Sequence, residues 1–299
     1  MRSGFCSIIG RPNVGKSTLL NAVVGHKIAI TTPVPQTTRH AIRGILHVPA
    51  SGEAAEAAQV VFVDTPGIHK PKTLLGSRLN DTARANLGNV DCIVFMVDGS
   101  DGIGRGDQYL AAILAEVRTP VIAVLNKIDR FAKARQLPQL QRLAELGSWA
   151  EIIPVSAASG EGIDTLIEQI LRRLPEGPPY FPPEQTSDQT ADQLIAELVR
   201  EKAITMMREE VPHSIAVAVE EVVPGDSEDV QVVHAMLYVE RDSQKGIVIG
   251  KGGAVLREIG AQARPEIEVV LGTRVFLDLR VKLMKEWQRD PRALDRLGY

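Results

Sequence analysis

Residues 5–9 (Phe-Cys-Ser-Ile-Ile), 60–63 (Val-Val-Phe-Val), 92–97 (Cys-Ile-Val-Phe-Met-Val), 121–125 (Val-Ile-Ala-Val-Leu) and 152–155 (Ile-Ile-Pro-Val) are short runs with almost no polar position. Runs of this length suit strands of a parallel sheet whose two faces are both covered by helices. Longer stretches read as helices lie between or after them, at 18–24, 108–117 and 163–174, so the pattern repeats β-α-β and predicts a parallel sheet. Residues 42–48 alternate instead, as a strand does when one face meets the core. After residue 187 the rhythm changes. A helix is predicted over 192–210, with Leu194, Ile195, Leu198, Ile204 and Met207 near one face, followed by strands over 215–222, 230–239 and 274–282. The predicted fold is an α/β domain, with a mostly parallel sheet and helices on both faces, followed by a smaller α+β domain.

A chain of 299 residues exceeds one ordinary core, which agrees with two domains. The proline-rich stretch 175–187 is predicted to be a semi-rigid extended spacer between a domain at 1–174 and one at 188–299. A proline-motif ligand is its alternative. The net charge of −3 does not advertise nucleic acid, but residues 245–299 carry eleven Lys and Arg against seven Asp and Glu. A mildly basic end is permissive for RNA without being diagnostic. Cys6 and Cys92 sit in apolar runs without metal-ligand spacing, so buried, reduced thiols and a cytoplasmic location are expected. The first apolar run leads into a glycine loop rather than a cleavage site, and no apolar span reaches about 18 residues.

Chemistry enters at residues 10–17, Gly-Arg-Pro-Asn-Val-Gly-Lys-Ser, between a predicted strand and a predicted helix. In the pattern G-x-x-x-x-G-K-[ST] backbone N–H groups wrap a phosphate, the lysine reaches the outer phosphates and the hydroxyl holds Mg²⁺. The stretch 28–40, with two prolines and a run of hydroxyls, reads as a loop; it is either a switch whose threonine senses the γ-phosphate or an ordinary connection. Residues 51–58 are a small-residue insert with no assigned function. Asp64-Thr65-Pro66-Gly67 follows the second buried strand, where the carboxylate can hold Mg²⁺ and the Gly67 N–H can meet a γ-phosphate. Asn126-Lys127-Ile128-Asp129 and Ser156-Ala157-Ala158 end two further strands, and ligands of such sheets lie outside the carboxyl ends.

Asp129 selects the base. Its carboxylate can accept from guanine's ring N–H and exocyclic amine, whereas adenine would leave it unpaired, a penalty on the order of 10⁴-fold in sites of this logic. Asn126 is expected to brace the loop, the Lys127 stem to cover the base and the Ala157 N–H to meet guanine O6. The candidate nucleotide set is therefore Gly10, Asn13, Val14, Gly15, Lys16, Ser17, Thr18, Asp64, Gly67, Asn126, Lys127, Asp129, Ser156, Ala157 and Ala158.

These motifs resemble those of translation-factor-class small GTPases. The resemblance implies Mg²⁺ ligation by Ser17 and a switch threonine, with Thr38 the first choice and Thr37 the second, beside Asp64. Lys16, Asn13, Thr38 and Gly67 are the catalytic candidates. Where Ras-like enzymes carry a water-orienting glutamine this chain has Ile68, which cannot activate water. Several GTPases with an apolar residue there share an asparagine at the position of Asn13 and use K⁺ as a fixed charge, so K⁺ or a partner is expected to supply the catalytic increment.

In the second domain, Gly250-Lys251-Gly252-Gly253 follows Ile247-Val248-Ile249 and precedes a helix. This fits the G-x-x-G loop of KH domains, which clamps about four nucleotides of single-stranded RNA. The order helix, strand, strand, glycine loop, helices, strand is similar to the prokaryotic, type II KH fold. Ile247, Ile249, Gly250, Lys251, Gly252, Gly253 and Arg257 are the RNA candidates, the lysine contacting phosphate without reading sequence. A glycine-rich helix cap in a protein-binding domain is the plainer alternative.

The two halves together, with Pro-Gln-Thr-Thr-Arg-His at 35–40, Asp-Thr-Pro-Gly-Ile-His at 64–69, Arg-Glu-Lys at 200–202 and Trp287 before a terminal Leu-Gly-Tyr, resemble the bacterial Era family of GTPases along nearly the whole chain. His213 departs from the family's usual tyrosine. The resemblance implies GTP hydrolysis with Mg²⁺, binding to the 3′ end of small-subunit (16S) ribosomal RNA and a role in 30S subunit maturation. A monomer and peripheral membrane association complete the partner expectations. The competing classes are a GTPase of RNA modification, for which no second active-site constellation is visible, and a GTP-gated adaptor, for which no lipidation signal or basic amphipathic anchor is visible.

Overall fold

The computed structural model describes residues 1–35, 37–50, 56–67, 73–85, 88–227 and 229–299. The small-residue insert falls mainly outside these, as does Ile68. The chain divides into two compact units, one of residues 1–29, 38–71 and 76–188 and one of residues 30–37, 72–75 and 189–299.

In chain order the first unit's elements are β1 (Arg2–Gly10), α1 (Lys16–Val24), β2 (Ile42–Val48), β3 (Ala58–Asp64), α2 (Leu74–Ala85, whose first residues belong to the second unit), β4 (Cys92–Asp98), α3 (Arg105–Leu114), β5 (Val121–Asn126), α4 (Gln136–Glu145), β6 (Glu151–Pro154) and α5 (Ile163–Leu171). The strands form one sheet in the order β2-β3-β1-β4-β5-β6, all parallel except β2, which runs antiparallel to β3. The apolar runs are buried on both faces as expected. Along β4, Cys92, Val94 and Met96 enter one core cluster while Ile93, Phe95 and Val97 enter another on the opposite face. Cys6 and Cys92 are neighbours in register, fully buried and free, and burial pushes the Cys6 thiol above its ordinary range.

The proline-rich stretch, expected as a semi-rigid extended spacer, is bonded along its length to one unit. It lies along the first unit, held by antiparallel bridges of Glu176 to Arg2 and Ser187 to Gly44 and by an Ile45 N–H donated to Thr186 O at 2.9 Å. Fully buried Gln59 accepts from the N–H groups of Tyr180 (2.7 Å) and Phe181 (3.1 Å) and donates to Phe181 O (2.8 Å), and the rings of Tyr180 and Phe5 are 4.8 Å apart. Prolines lack an N–H for strand pairing, so a side-chain amide supplies part of what a neighbouring strand would.

The second unit comprises α6 (Ala191–Met206), α7 (Val211–Ser214), β7 (Ala216–Pro224), β8 (Val230–Val239), α8 (Asp242–Ile249), α9 (Ala254–Leu271), β9 (Arg274–Leu283) and α10 (Pro291–Arg296). Its sheet has the order β7-β8-β9, antiparallel then parallel. Helix α6 starts with a capping box in which Thr190 accepts from the Gln193 N–H, and its Ile195, Leu198 and Val199 meet Ile259, Ala263 and Ile267 of α9 in one core. Trp287, fully buried, donates from Nε1 to Ser214 O at 3.0 Å and stacks on Tyr299.

Candidate functional site

Strand β1 ends at Gly10, and α1 begins at Lys16 after Gly15 in the left-handed region (φ 103°). Both glycines answer to close approach as well. A Cβ on Gly10 would lie 2.6 Å from Met96 O, and one on Gly15 would lie 2.3 Å from Asn126 Nδ2. Asn13 is also left-handed, at φ 64°. The loop is thus bent so that the first N–H groups of α1 open toward the loop interior, the arrangement that binds phosphate. Lys16 is buried, and its Nζ donates to Gly10 O (3.2 Å) and Arg11 O (3.0 Å). Burial lowers its pKa, Asp64 opposing in part.

Ser17, Thr38 and Asp64 come together from α1, the loop before β2, and the end of β3. Ser17 Oγ donates to Asp64 Oδ2 at 2.6 Å and lies 2.9 Å from Thr38 Oγ1. Asp64 is fully buried, and its Oδ1 has no hydrogen-bond partner among the described residues. Burial pushes its carboxyl up, against the pull of Lys16, Ser17 and Thr38. An unpartnered carboxylate oxygen beside two hydroxyls is a hard oxygen donor set, which fits Mg²⁺. Thr37 faces elsewhere, its Oγ1 donating to Val34 O at 2.8 Å and lying 2.6 Å from Thr32 Oγ1. Gly67 abuts the phosphate loop, where a Cβ would come within 2.9 Å of Pro12 N.

At the base end, Asn126 Nδ2 donates to Val14 O at 2.7 Å, bracing the phosphate loop as expected. Lys127, left-handed at φ 64°, donates from Nζ to Asn13 O (2.7 Å) and Asp98 Oδ2 (2.6 Å). Burial works to raise the Asp98 pKa, but hydrogen bonds from Lys127 and Ser100 outweigh it and hold the carboxyl below its ordinary range. Ser156 Oγ donates to Asp129 Oδ1 at 2.6 Å, fixing the orientation of that carboxylate. The Ala157 N–H donates to Asn126 Oδ1 at 3.0 Å. Thr18 lies in the first turn of α1, and Ala158 is solvent-exposed in the turn after β6.

Two contributors were not anticipated. Asp98 ends β4 and holds Lys127, and its signal was an acidic residue closing a buried strand at the sheet's carboxyl edge. Arg11 anchors the phosphate loop to the start of α3, donating from Nε to the buried Asp107 (2.8 Å) and from Nη2 to Gly102 O (3.1 Å). No spacing rule marks that pairing.

In the second unit the glycine loop joins α8 to α9. Gly250, Gly252 and Gly253 all have positive φ (70°, 59° and 78°), and a Cβ on Gly250 would lie 2.5 Å from Val255 Cγ2. Lys251 and Arg257 are exposed, Ile247 is half exposed and Ile249 is half-buried, while Val248 turns into the core. The loop therefore offers backbone and a basic side chain at a helix start, with apolar surface beside it.

Residues 5–127 match the 50S ribosome-binding GTPase family and residues 210–288 the KH domain family. GTPase Era of Mycobacterium sp. (strain JLS) is 51% identical over 100% of this chain and 99% of its own length. GTPase Era of Mycobacterium tuberculosis (strain ATCC 25177 / H37Ra) is 50% identical over 99% and 98%. An alanine variant of Aquifex aeolicus Era bound to GDP·AlF4⁻ superposes with a TM-score of 0.95 at 40% identity, covering 100% of this chain and 99% of that one. A second Era structure, in complex with MgGDPNP and nucleotides 1506–1542 of 16S ribosomal RNA, gives the same TM-score, identity and coverage. With half of its residues identical over the full length of these relatives, a phosphate loop and guanine motifs converged at one sheet edge and a KH match at residues 210–288, the chain belongs to the Era family of GTPases.

Proposed function

We propose that this GTPase binds the 3′ end of 16S ribosomal RNA through its glycine loop and uses GTP hydrolysis to time its part in 30S subunit assembly, in the cytoplasm. The observation that carries the reading is the Era structure of matching fold that holds MgGDPNP and nucleotides 1506–1542 of 16S ribosomal RNA. In functional terms residues 1–174 form the GTPase domain, 175–187 the connection and 188–299 the RNA-binding domain. A monomer suffices for this role. No helix among the described residues is long and apolar enough to cross a bilayer.

Backbone N–H groups of residues 13–18 and Lys16 bind the phosphates, which offer Lys16 acceptors in place of the two loop carbonyls it now uses. Ser17, Thr38 and Asp64 hold Mg²⁺, which neutralises charge on the β- and γ-phosphates when bound. The Gly67 N–H meets the γ-phosphate, and Asn13 would hold K⁺, which would supply a fixed positive charge to the transferring phosphoryl group. Asp129 reads guanine. Replacing Asp129 by Asn exchanges an acceptor for a donor, so preference is expected to move from guanine toward xanthine nucleotides by several orders of magnitude. Competition binding measures it, and an unchanged preference refutes the base assignment.

Thr37 and Thr31 link nucleotide state to RNA. Arg200, fully buried in α6, donates to Glu197 and to Thr37 O, and Glu201 Oε1 accepts from the Thr31 N–H at 2.9 Å. Burial opposes the Arg200 charge, but Glu197 more than offsets this and raises its pKa. A γ-phosphate that draws in Thr38 acts on the next residue of the same chain, and this supports a switch loop that reports to α6. RNA crosslinked to the protein in cells and sequenced tests the partner. Recovery of transfer RNA in place of 16S RNA would instead favour a modification enzyme.

A further inference from the structure

Helix α3 carries a glycine, Gly106, at its second position, where alanine is the better helix former. Its backbone angle does not call for glycine, since Gly106 is not among the residues of positive φ. The space beside it gives the reason. A Cβ on Gly106 would stand 2.6 Å from Cδ and 3.1 Å from Cγ of Arg11, and one on Gly104 would stand 3.5 Å from Arg11 Nη1. The Arg11 side chain therefore lies flat across the start of α3. Its Nε donates to the fully buried Asp107 (2.8 Å), its Nη2 to Gly102 O (3.1 Å) and its Nη1, at 3.5 Å, to Asp101. Asp107 in turn accepts from the Gly104 N–H at 2.8 Å. A planar guanidinium bonded from all three nitrogens to one turn is held in a single pose.

The part of the loop that wraps the inner phosphates is braced separately, by Asn126 on Val14 O and by Lys127 on Asn13 O. Arg11 controls the other side. Pro12 follows it directly, and Gly67 packs on Pro12 so closely that a Cβ there would lie 2.9 Å from the ring nitrogen and 3.0 Å from Cδ and Cγ. The proline has a fixed φ and a rigid ring, so it passes the position of Arg11 to Gly67 with little slack. Arg11 O also accepts from Lys16 Nζ at 3.0 Å. Both groups assigned to the outer phosphate, Lys16 and the Gly67 N–H, thus take their positions from the backbone that the Arg11 socket fixes.

We propose that Arg11 is a positioning residue for GTP hydrolysis: seated on Asp107 and in the space left by Gly104 and Gly106, it sets, through Pro12, where the Gly67 N–H stands relative to the γ-phosphate. The proposal rests on the reading of Gly67 as the γ-phosphate contact and extends it. Because it acts on a phosphate that GDP lacks, it governs turnover and not GDP affinity. Single-turnover hydrolysis by the full chain at saturating GTP and Mg²⁺ tests it, beside GDP titrations. Gly106→Ala, which touches no nucleotide and improves the helix, is expected to slow hydrolysis about tenfold and to leave GDP affinity within about twofold. Arg11→Ala should do the same. Arg11→Lys, which can meet Asp107 but lacks the fork to reach Gly102 O as well, should fall between it and wild type. The double variant Arg11→Ala/Gly106→Ala should be no slower than Arg11→Ala, since the added methyl group then displaces nothing. Wild-type turnover in both single variants, losses that multiply in the double variant, or a fall in GDP affinity as large as the fall in turnover would overturn the proposal. Gly67→Ala separates it from the reading beneath it. Wild-type turnover in Gly67→Ala refutes the γ-phosphate contact, whereas slow turnover there with wild-type rates in Arg11→Ala and Gly106→Ala refutes the socket alone.

Discussion

At the scale of single residues, the phosphate loop is held from outside itself. Val14 O is bonded by Asn126, Asn13 O by Lys127, and the Arg11 side chain by Asp107 and Gly102. The segment 126–129, proposed to read guanine, therefore also braces the phosphate loop. Asn13 keeps a left-handed backbone that asparagine tolerates better than most residues. With Ile68 unable to polarise water, the proposed K⁺ at Asn13 supplies positive charge where the transition state gains negative charge. Turnover is expected to be at least about tenfold faster in KCl than in NaCl at equal ionic strength. Asn13→Gly, which preserves the backbone angle, should abolish the difference. Equal rates in the two salts, or stimulation that persists in the variant, would exclude this role.

Among the elements, the buried strands and the helices after them were legible because the 2-residue and 3.6-residue periods are local properties of a chain with two covered sheet faces. Boundaries shifted where local signals conflict. The helix expected at 108–117 runs Arg105–Leu114, because Asp107 accepts from the Gly104 N–H at 2.8 Å and starts it early. The one at 192–210 ends at Met206. Helix α8 was not foreseen, since Gly246 and the β-branched Ile-Val-Ile disfavour a helix that the Gln244 cap and the core at Val248 stabilise. The proline-rich stretch lies on the first unit because Gln59 offers three hydrogen bonds from inside a strand. Gln59→Leu leaves two N–H groups and a carbonyl without that partner, a cost of about 1–3 kcal/mol for each group that stays buried. Native-state hydrogen exchange should show the Tyr180 and Phe181 amides losing protection while β4 keeps its own. Unaltered protection at Tyr180 and Phe181 would show that the ring contact alone secures the stretch.

Over the whole molecule, the stretch from Ile30 to Thr37 belongs to the second unit while Thr38 belongs to the first. The proposed γ-phosphate sensor and the α6-bound segment are consecutive residues, and coupling needs no long relay. Glu201→Ala removes the acceptor of the Thr31 N–H, and it should shrink the ratio of RNA affinities in the GTP-analogue and GDP states several-fold. Nucleotide affinity measured without RNA should stay within about twofold, because Glu201 is distant in role from the phosphates. RNA titrations in both states measure the ratio, and a ratio equal to that of wild type would place the coupling elsewhere.

The sequence by itself determined the phosphate loop, the guanine motif, the Asp64 turn, the glycine loop and the strand–helix order. Each is a local pattern, set by residues a few positions apart that must share one loop or one strand end. Only the tertiary structure decided that Thr38 rather than Thr37 meets Ser17, that Asp98 holds Lys127, that the Ala157 N–H donates to Asn126, and that the proline stretch is bound along a sheet edge. These pair residues from about 20 to 170 positions apart or choose between neighbours of equal chemistry. What settles them is the path of the backbone through the packed core, which no spacing along the chain encodes.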